Sequence, residues 1–366
     1  MNTDFSTLLE TLETSGYPFV LYRYPFAEHI NILIDSSREL RLLSSADADE
    51  GFVISPFDTE LPAVILRGGV RTTFPLSGLP DTECDVDVDI LSMVDKPTEL
   101  VNKAGYISLV NDAINVIQQS DINKIVSSRV EEIKYDTVDM AAIYASMCRT
   151  YRDAFVYYFS HPQVGRWAGA SPELLVLRRG EQLHTMSLAG TQKYEGEVMY
   201  RWGEKEVEEQ AIVTRYICDV LAACGLDNIK VNGPENHRAG GVVHLCSHIA
   251  GHMGDDVQMD KVLGELSPTP ALCGNPKDLS MMFLKEREKH NRAFYGGYIG
   301  EVNMAGKKTA ELYVNIRCMQ ICDDRLLLYA GGGITAQSSP EAEWEETCHK
   351  MKTMCRVIAP YVYRLH

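Results

Sequence analysis

Apolar residues recur at helical spacing over residues 4 to 14, where Phe5, Leu8, Leu9 and Leu12 share one face before Gly16 and Pro18 end the run. PFVLYRYP, INILID, GFVISPF and AVILRGG follow as strand-like runs, separated by polar or Gly/Pro punctuation. Residues 76 to 100 read as an acidic loop. Their alternating Asp residues lack the spacing and the glycine of an EF-hand. Helices are expected over 105–119 and 138–151, with the strand NKIVSSRVEEIKY between them and the strand AFVYYF after them. WAGASPELLVLRRGEQLHTMSLAGT reads as two strands joined at Arg-Gly-Glu. A Gly-bearing loop, 190 to 203, leads to a long helix over about 204–224 that ends near Gly225. Short strands are expected in 227–251, and helices over 257–265 and 277–290. Strands follow over 294–303, 308–317 and 325–331, then a last helix over about 340–358.

The strands cluster as hairpins and the helices fall between the clusters, without regular β-α-β alternation. The expected architecture is α+β, with large, mostly antiparallel stacked sheets flanked by helices. No repeat or linker interrupts residues 1–366, so one compact domain is expected.

Composition narrows the partners. A net charge of -16 argues against nucleic acid or an anionic membrane as the main partner. An anionic substrate would need a cation or a local basic cluster. The ten cysteines form no Cys-x-x-Cys pair and read as reduced core thiols of a cytoplasmic protein. The first residues lack the pattern of a signal peptide, and no apolar run reaches the length of a membrane span.

Candidate chemistry concentrates in 295–350. A Gly-Gly-Gly turn is expected before Ile334, then a helix with Ser339 as N-cap and Pro340 at its first position. Glu343, Glu346 and Lys350 share one face of that helix. Arg317 is expected to end the strand TAELYVNIR, and Tyr295 opens YGGYIG. Glu206 and Glu209 repeat the spacing of Glu343 and Glu346 on the helix 204–224, so two helices together could hold one hard cation, for which magnesium is suited. The plain alternative is solvated acidic faces whose first-turn acids complement the helix dipole. Lys124 opens an apolar strand, where burial would lower its pKa and make it a base; the alternative is a lysine that snorkels at a strand end. Glu173 opens another and could be a protonated general acid or a surface carboxylate. Gly190 and Thr191 close the LAGT run, a plain turn or a close approach for a ligand. His244 sits on an apolar strand as a core histidine or a site residue. No zinc His pair, Gly-x-Ser-x-Gly elbow or Walker A loop occurs.

These motifs occur in a fixed order: Lys124-Ile-Val, SPE (171–173), LAGT (188–191), Glu206-x-x-Glu209-Gln-Ala, His244-Leu-x-Ser, Gly274-x-Pro-Lys277, Tyr295-Gly-Gly, Ile316-Arg317, GGGI (331–334) and PEAEWEET (340–347). The chain thereby resembles the chorismate-utilising enzymes over roughly 105–360, with residues 1–100 alike only in general character. The resemblance implies that Lys124 activates water for attack at C2 of chorismate and that Glu173 protonates the departing C4 hydroxyl. It implies magnesium on Glu209 and Glu346, with Glu206 and Glu343 supporting its water shell. Tyr295, Arg317, Gly332 and Gly333 would meet the enolpyruvyl carboxylate, and Lys350, His244, Gly190 and Thr191 the ring-carboxylate side. Lys124 with LAGT is similar to the water-using branch, isochorismate or salicylate synthase. A stand-alone, monomeric isochorismate synthase serving menaquinone or siderophore synthesis is expected. A salicylate-releasing lyase and a non-catalytic, partner-dependent chorismate-binding subunit are the alternatives. The chain departs from the family pattern at Asn275 (GNPK for GTPK), Gln210 (where histidine is frequent) and GGGI (for GAGI).

Overall fold

The apolar runs assemble into two stacked sheets with helices on both outer faces. The computed structural model describes residues 4–82, 102–196, 198–239 and 242–363, without the side chains of Thr191, Lys193, Lys205 and Ala239. The acidic loop expected over 76–100 begins with a 3-10 turn, Leu76–Gly78, and from residue 83 onward lies outside the described residues.

The nine-stranded sheet runs, in spatial order, Gly274–Asn275 (β14), Lys124–Lys134 (β6), Arg325–Ile334 (β18), Cys318–Ile321 (β17), Gly165–Ser171 (β9), Phe155–His161 (β8), Phe19–Arg23 (β1), His29–Asp35 (β2) and Gly68–Pro75 (β5). The eight-stranded sheet runs Asp227–Ala239 (β12), Val242–His252 (β13), Gln182–Lys193 (β11), Leu174–Arg179 (β10), Thr309–Val314 (β16), Tyr298–Val302 (β15), Gly51–Ile54 (β3) and Val64–Leu66 (β4). Val362–Tyr363 (β19) pairs separately with Thr137–Val138 (β7). Every described strand pair is antiparallel. Seven α-helices stand among the described residues: Phe5–Ser15 (α1), Lys103–Gln119 (α2), Met140–Thr150 (α3), Glu204–Cys224 (α4), Met259–Leu266 (α5), Lys277–Arg287 (α6) and Pro340–Ile358 (α7). The expected α+β architecture is the observed one.

β8 shows why AFVYYF reads as unbroken apolar sequence. Phe155, Tyr157 and Phe159 enter the core between the sheets, while Val156 and Tyr158 enter the core under α1, α3 and α7. A strand buried on both faces has no polar side to show. A second outer core lies between the eight-stranded sheet and α4 and α5. Gly225 ends α4 with φ 101, and its N–H donates to the carbonyls of Leu221 and Ala222.

The structure corrects several expectations, among them strands that break where the chain changes sheets: AVILRGG divides at Arg67 between β4 in one sheet and β5 in the other. SPELLV is not part of one strand. β9 ends at Ser171 in one sheet and β10 starts at Leu174 in the other, with Pro172-Glu173 as the crossover. Likewise TAELYVNIR stops at Val314, and Asn315–Arg317 carries the chain back, with Arg317 at φ 49. An apolar run is continuous across such a crossover because both sheets bury it. The two crossovers are bonded together: the Val314 N–H donates to the Glu173 carbonyl (2.9 Å), the Ser171 hydroxyl to the Val314 carbonyl (2.6 Å) and the Ala170 N–H to the Arg317 carbonyl (3.1 Å). Residues 227–252 are a hairpin of two long strands rather than short ones.

Candidate active site

The site forms where β6 begins and β18 ends. Lys124 is the first residue of β6, and Gly333 and Ile334 of β18 stand opposite Val126 and Ile125. The triple glycine is therefore strand, not the expected turn. Its other edge is open, because β17 pairs with β18 only as far as Leu328. Missing side chains let the neighbours close in. A Cβ on Gly333 would lie 2.8 Å from Lys124 Cε, one on Gly332 2.9 Å from Glu343 Oε2, and one on Gly331 3.0 Å from the Tyr295 hydroxyl.

α7 carries the acidic side. Ser339 occupies the N-cap position and Pro340 the first turn, but the Ser339 side chain makes no cap hydrogen bond. Its neighbour Ser338 instead donates to Glu343 Oε1 at 2.7 Å. Lys350 Nζ lies 2.8 Å from Glu346 Oε1, one turn back, and donates to the Gly331 carbonyl at 2.8 Å. Lys350 first, with Lys124 further out, holds the Glu346 carboxyl below the usual range.

Lys124 is half-buried. Burial pushes its pKa down, against the pull of Glu209 from α4 and of Glu346 and Glu343 from α7, and Lys350 pushes it down further. Glu206 packs half-buried against Gly190, where a Cβ would lie 3.4 Å from Glu206 Cβ. Carboxylate oxygens are the donors a hard divalent cation prefers. Among the described residues, no three His, Cys, Asp or Glu side chains stand close enough to hold an ion as they are. An ion here would compete with Lys350 for Glu346. The donors are of the type a hard divalent cation takes, and Lys124 and Lys350 are the charges that the carboxylates now face.

Glu173, on its crossover, is buried, and burial pushes its carboxyl up to about 7 although Arg317, Lys350 and Lys124 pull it down. Burial also lowers the pKa of Arg317, with Glu173 among the groups opposing the shift. The backbone on either side of Tyr295 is bonded to the Asn315–Arg317 crossover through Asn315, which accepts from the Gly296 N–H (2.8 Å), donates its N–H to Gly297 O (2.8 Å) and its amide to Phe294 O (2.9 Å). His244 is pushed down to about 3, by burial first and then by Arg317 and Lys350, so its ring is neutral. Its Nδ1 lies 2.8 Å from the Gly190 carbonyl and therefore carries the proton. Gly190 adopts φ 70. Thr191 is in β11, and its side chain lies outside the described residues.

Two neighbours carried no sequence signal, and a third, Gln210, carried one only as a departure from the family pattern. Tyr106 is fully buried near Gly332 and accepts from the Ser127 hydroxyl at 3.2 Å. His237 stands across the hairpin from His244. Gln210, buried beside Glu209, has its Nε2 3.1, 3.0 and 2.7 Å from the hydroxyls of Ser187, Thr214 and Ser247, and so ties α4 to β11 and β13. A surface concavity of about 330 Å³ lies at the opposite end of β11 and β13 around Gln182 and His252, away from all these residues.

Residues 86–359 match the family model described as chorismate binding enzyme. The vibriobactin-specific isochorismate synthase of Vibrio cholerae is 26% identical over 347 residues, which span 90% of this chain and 84% of that protein. The isochorismate synthase MenF of Escherichia coli is 30% identical over 260 residues, 68% of this chain and 59% of that protein. The solved structure of MenF, the menaquinone-specific isochorismate synthase of Escherichia coli, superimposes with a TM-score of 0.78 at 22% identity, covering 97% of this chain and 91% of that one. Anthranilate synthase component I from Streptococcus pneumoniae gives 0.67 at 16% identity, with 92% of each chain covered. At these identities the structural likeness shows the fold.

Proposed function

The chain belongs to the chorismate-binding enzyme family, and from that we propose that it is an isochorismate synthase, an isomerase that converts chorismate to isochorismate. The observation that carries this reading is a pair of opposed shifts on two residues whose charges act on one another. Lys124 is pushed down toward the neutral amine and Glu173 up to about 7, toward the neutral acid. Moving a hydroxyl from C4 to C2 needs a base and an acid at once, each poised near neutral pH. Relatives that bear the name isochorismate synthase support the same reading.

In the proposed reaction, Lys124 Nζ takes a proton from a water as its oxygen bonds to C2. The ring double bonds shift, the C4–O bond breaks, and the Glu173 carboxyl delivers its proton so that the hydroxyl leaves as water. One water enters and one leaves, so the conversion is an isomerisation overall. Arg317, Tyr295 and the open backbone edge at Gly332 and Gly333 are proposed to receive the enolpyruvyl carboxylate. A buried guanidinium binds a carboxylate strongly because little water competes. Lys350, neutral His244, Gly190 and Thr191 are proposed to face the ring carboxylate. Magnesium, proposed on Glu209 and Glu346 with Glu206 and Glu343 behind them, would add positive charge at that carboxylate.

The test is product analysis with chorismate and magnesium, by chromatography with a pyruvate-coupled assay. Isochorismate approaching equilibrium with chorismate, without pyruvate, is the expected result. Stoichiometric salicylate and pyruvate would move the assignment to the lyase, and no turnover at all would overturn the reading. The pH profile of kcat/KM should fall above about 7, where Glu173 loses the proton it must donate. A profile still rising at pH 9 would remove Glu173 from the acid role.

A further inference from the structure

Thr269 lies between α5 and β14 with 7% of its surface exposed. Among the described residues its Oγ1 is buried and meets no hydrogen-bond partner. Buried hydroxyls are nearly always paired, so an orphan of this kind points to something that completes it. Beside it is a narrow cavity of about 10 Å³. Its polar lining is Thr269, Thr185 and Glu173, and the rest is chiefly apolar, with Leu175, Val213 and Ile217 from the core under α4 and α5. That is room for one water, which needs two or more polar partners to stay.

We propose that a single water in this cavity joins the Thr269 hydroxyl to the Glu173 carboxyl, making Thr269 a positioning residue for the acid. The inference rests on the reading of Glu173 as that acid. The orphaned hydroxyl and the cavity carry it, because they place one donor and one carboxyl around a space of the right size. A hydrogen bond strengthens when its acceptor is ionised, so the water favours the carboxylate more than the acid. It therefore works against burial, which alone would hold the proton too tightly for delivery to the C4 hydroxyl. The contact comes from the core side of the eight-stranded sheet, so it persists whether or not a substrate fills the cleft.

The test titrates Glu173 directly. The carboxylic C=O band in infrared difference spectra of the whole protein is assigned by its loss in Glu173→Gln. Thr269→Val should raise the midpoint of that band by about one pH unit, the size expected for a lost hydrogen bond to a charged group. Thr269→Ser, which keeps the hydroxyl, should leave it in place. A crystal structure of the unsubstituted protein should show one water within hydrogen-bond distance of both side chains. An unmoved midpoint in Thr269→Val, an equal shift in both variants, or a dry cavity would each overturn the proposal. If Thr269→Val does not fold, the electron density of the unsubstituted protein decides alone. Full isomerase activity in Glu173→Gln would overturn the acid's role while leaving the band shift readable, so the two failures stay distinct.

Discussion

Two buried polar clusters share the strand β6, and they are built on opposite principles. The first surrounds Lys124. The second begins four residues along, at Ser128, whose N–H donates to Glu288 Oε1 at 2.6 Å and whose hydroxyl lies 2.8 Å from His290 Nε2. Glu288 takes Arg292 through both oxygens, at 2.7 and 2.6 Å. The other Arg292 donors reach the carbonyls of Leu272 (2.8 Å) and Val126 (2.6 Å), and its guanidinium lies 4.1 Å from the centre of the Phe57 ring. Among the described residues, His290 Nδ1 alone in this group lacks a partner. Around Lys124, by contrast, burial pushes Lys124 and Glu173 toward their neutral forms. A satisfied network fixes geometry, whereas an unbalanced one is poised to move protons and take in a ligand. The two clusters adjoin along β6, where Arg292 donates to the Val126 carbonyl two residues from Lys124.

The sharpest way to break this comparison is to remove the poised groups. Lys124→Gln and Glu173→Gln should each lower kcat by about 10²–10⁴-fold, the usual contribution of a general base or acid, with the fold intact by circular dichroism. A variant within tenfold of the starting rate would place the chemistry elsewhere. The next effect belongs to the rigid cluster. Arg292→Met strands a buried carboxylate and should cost about 3–5 kcal/mol in denaturant unfolding. If it costs no more than Lys124→Gln, the division between the clusters fails. Third, Glu173→Gln should stabilise the protein in alkali. The folded carboxyl near 7 lies above its ordinary 4.5, so the native state binds more protons than the unfolded one between those values. Stability attributable to Glu173 is thus present below about pH 4.5 and lost as pH rises through about 7. The variant should gain up to about 3 kcal/mol at pH 8 and nothing at pH 4; a pH-independent difference would show that folding leaves the Glu173 carboxyl unshifted. Smallest is Gly332→Ala, whose methyl meets the flexible end of Glu343 at 2.9 Å and should change stability by under about 1 kcal/mol. A larger loss would mean that Glu343 is held more rigidly than its bond from Ser338 implies.

The legibility of the sequence followed the same line between local and non-local causes. α4 was readable because its stop, Gly225, lies in its own sequence, and β8 because it is apolar on both faces. Pro172-Glu173 and Asn315–Arg317 were not readable as crossovers, because a hydrophobic run does not say which sheet it joins. GGGI looked like a turn because glycine usually marks one, yet its freedom here is spent on close approach by Lys124, Glu343 and Tyr295. Lys124, Glu346 and Lys350 were legible as types at spacings. Ser338, Tyr106 and the Gln210 hydroxyl network were not, because each acts through a partner remote in sequence or outside any regular spacing.

The paired crossovers have a mechanical consequence. Glu173 and Arg317 belong to neither sheet alone; each is strung between the two like a gauge between two plates. Packing between the plates, such as Phe155 on Tyr313 with ring centres 4.4 Å apart, sets how the plates sit and so how far acid and guanidinium stand from each other. On the proposed roles of Glu173 and Arg317, substitutions deep in the inter-sheet core would retune the spacing between them without altering either residue.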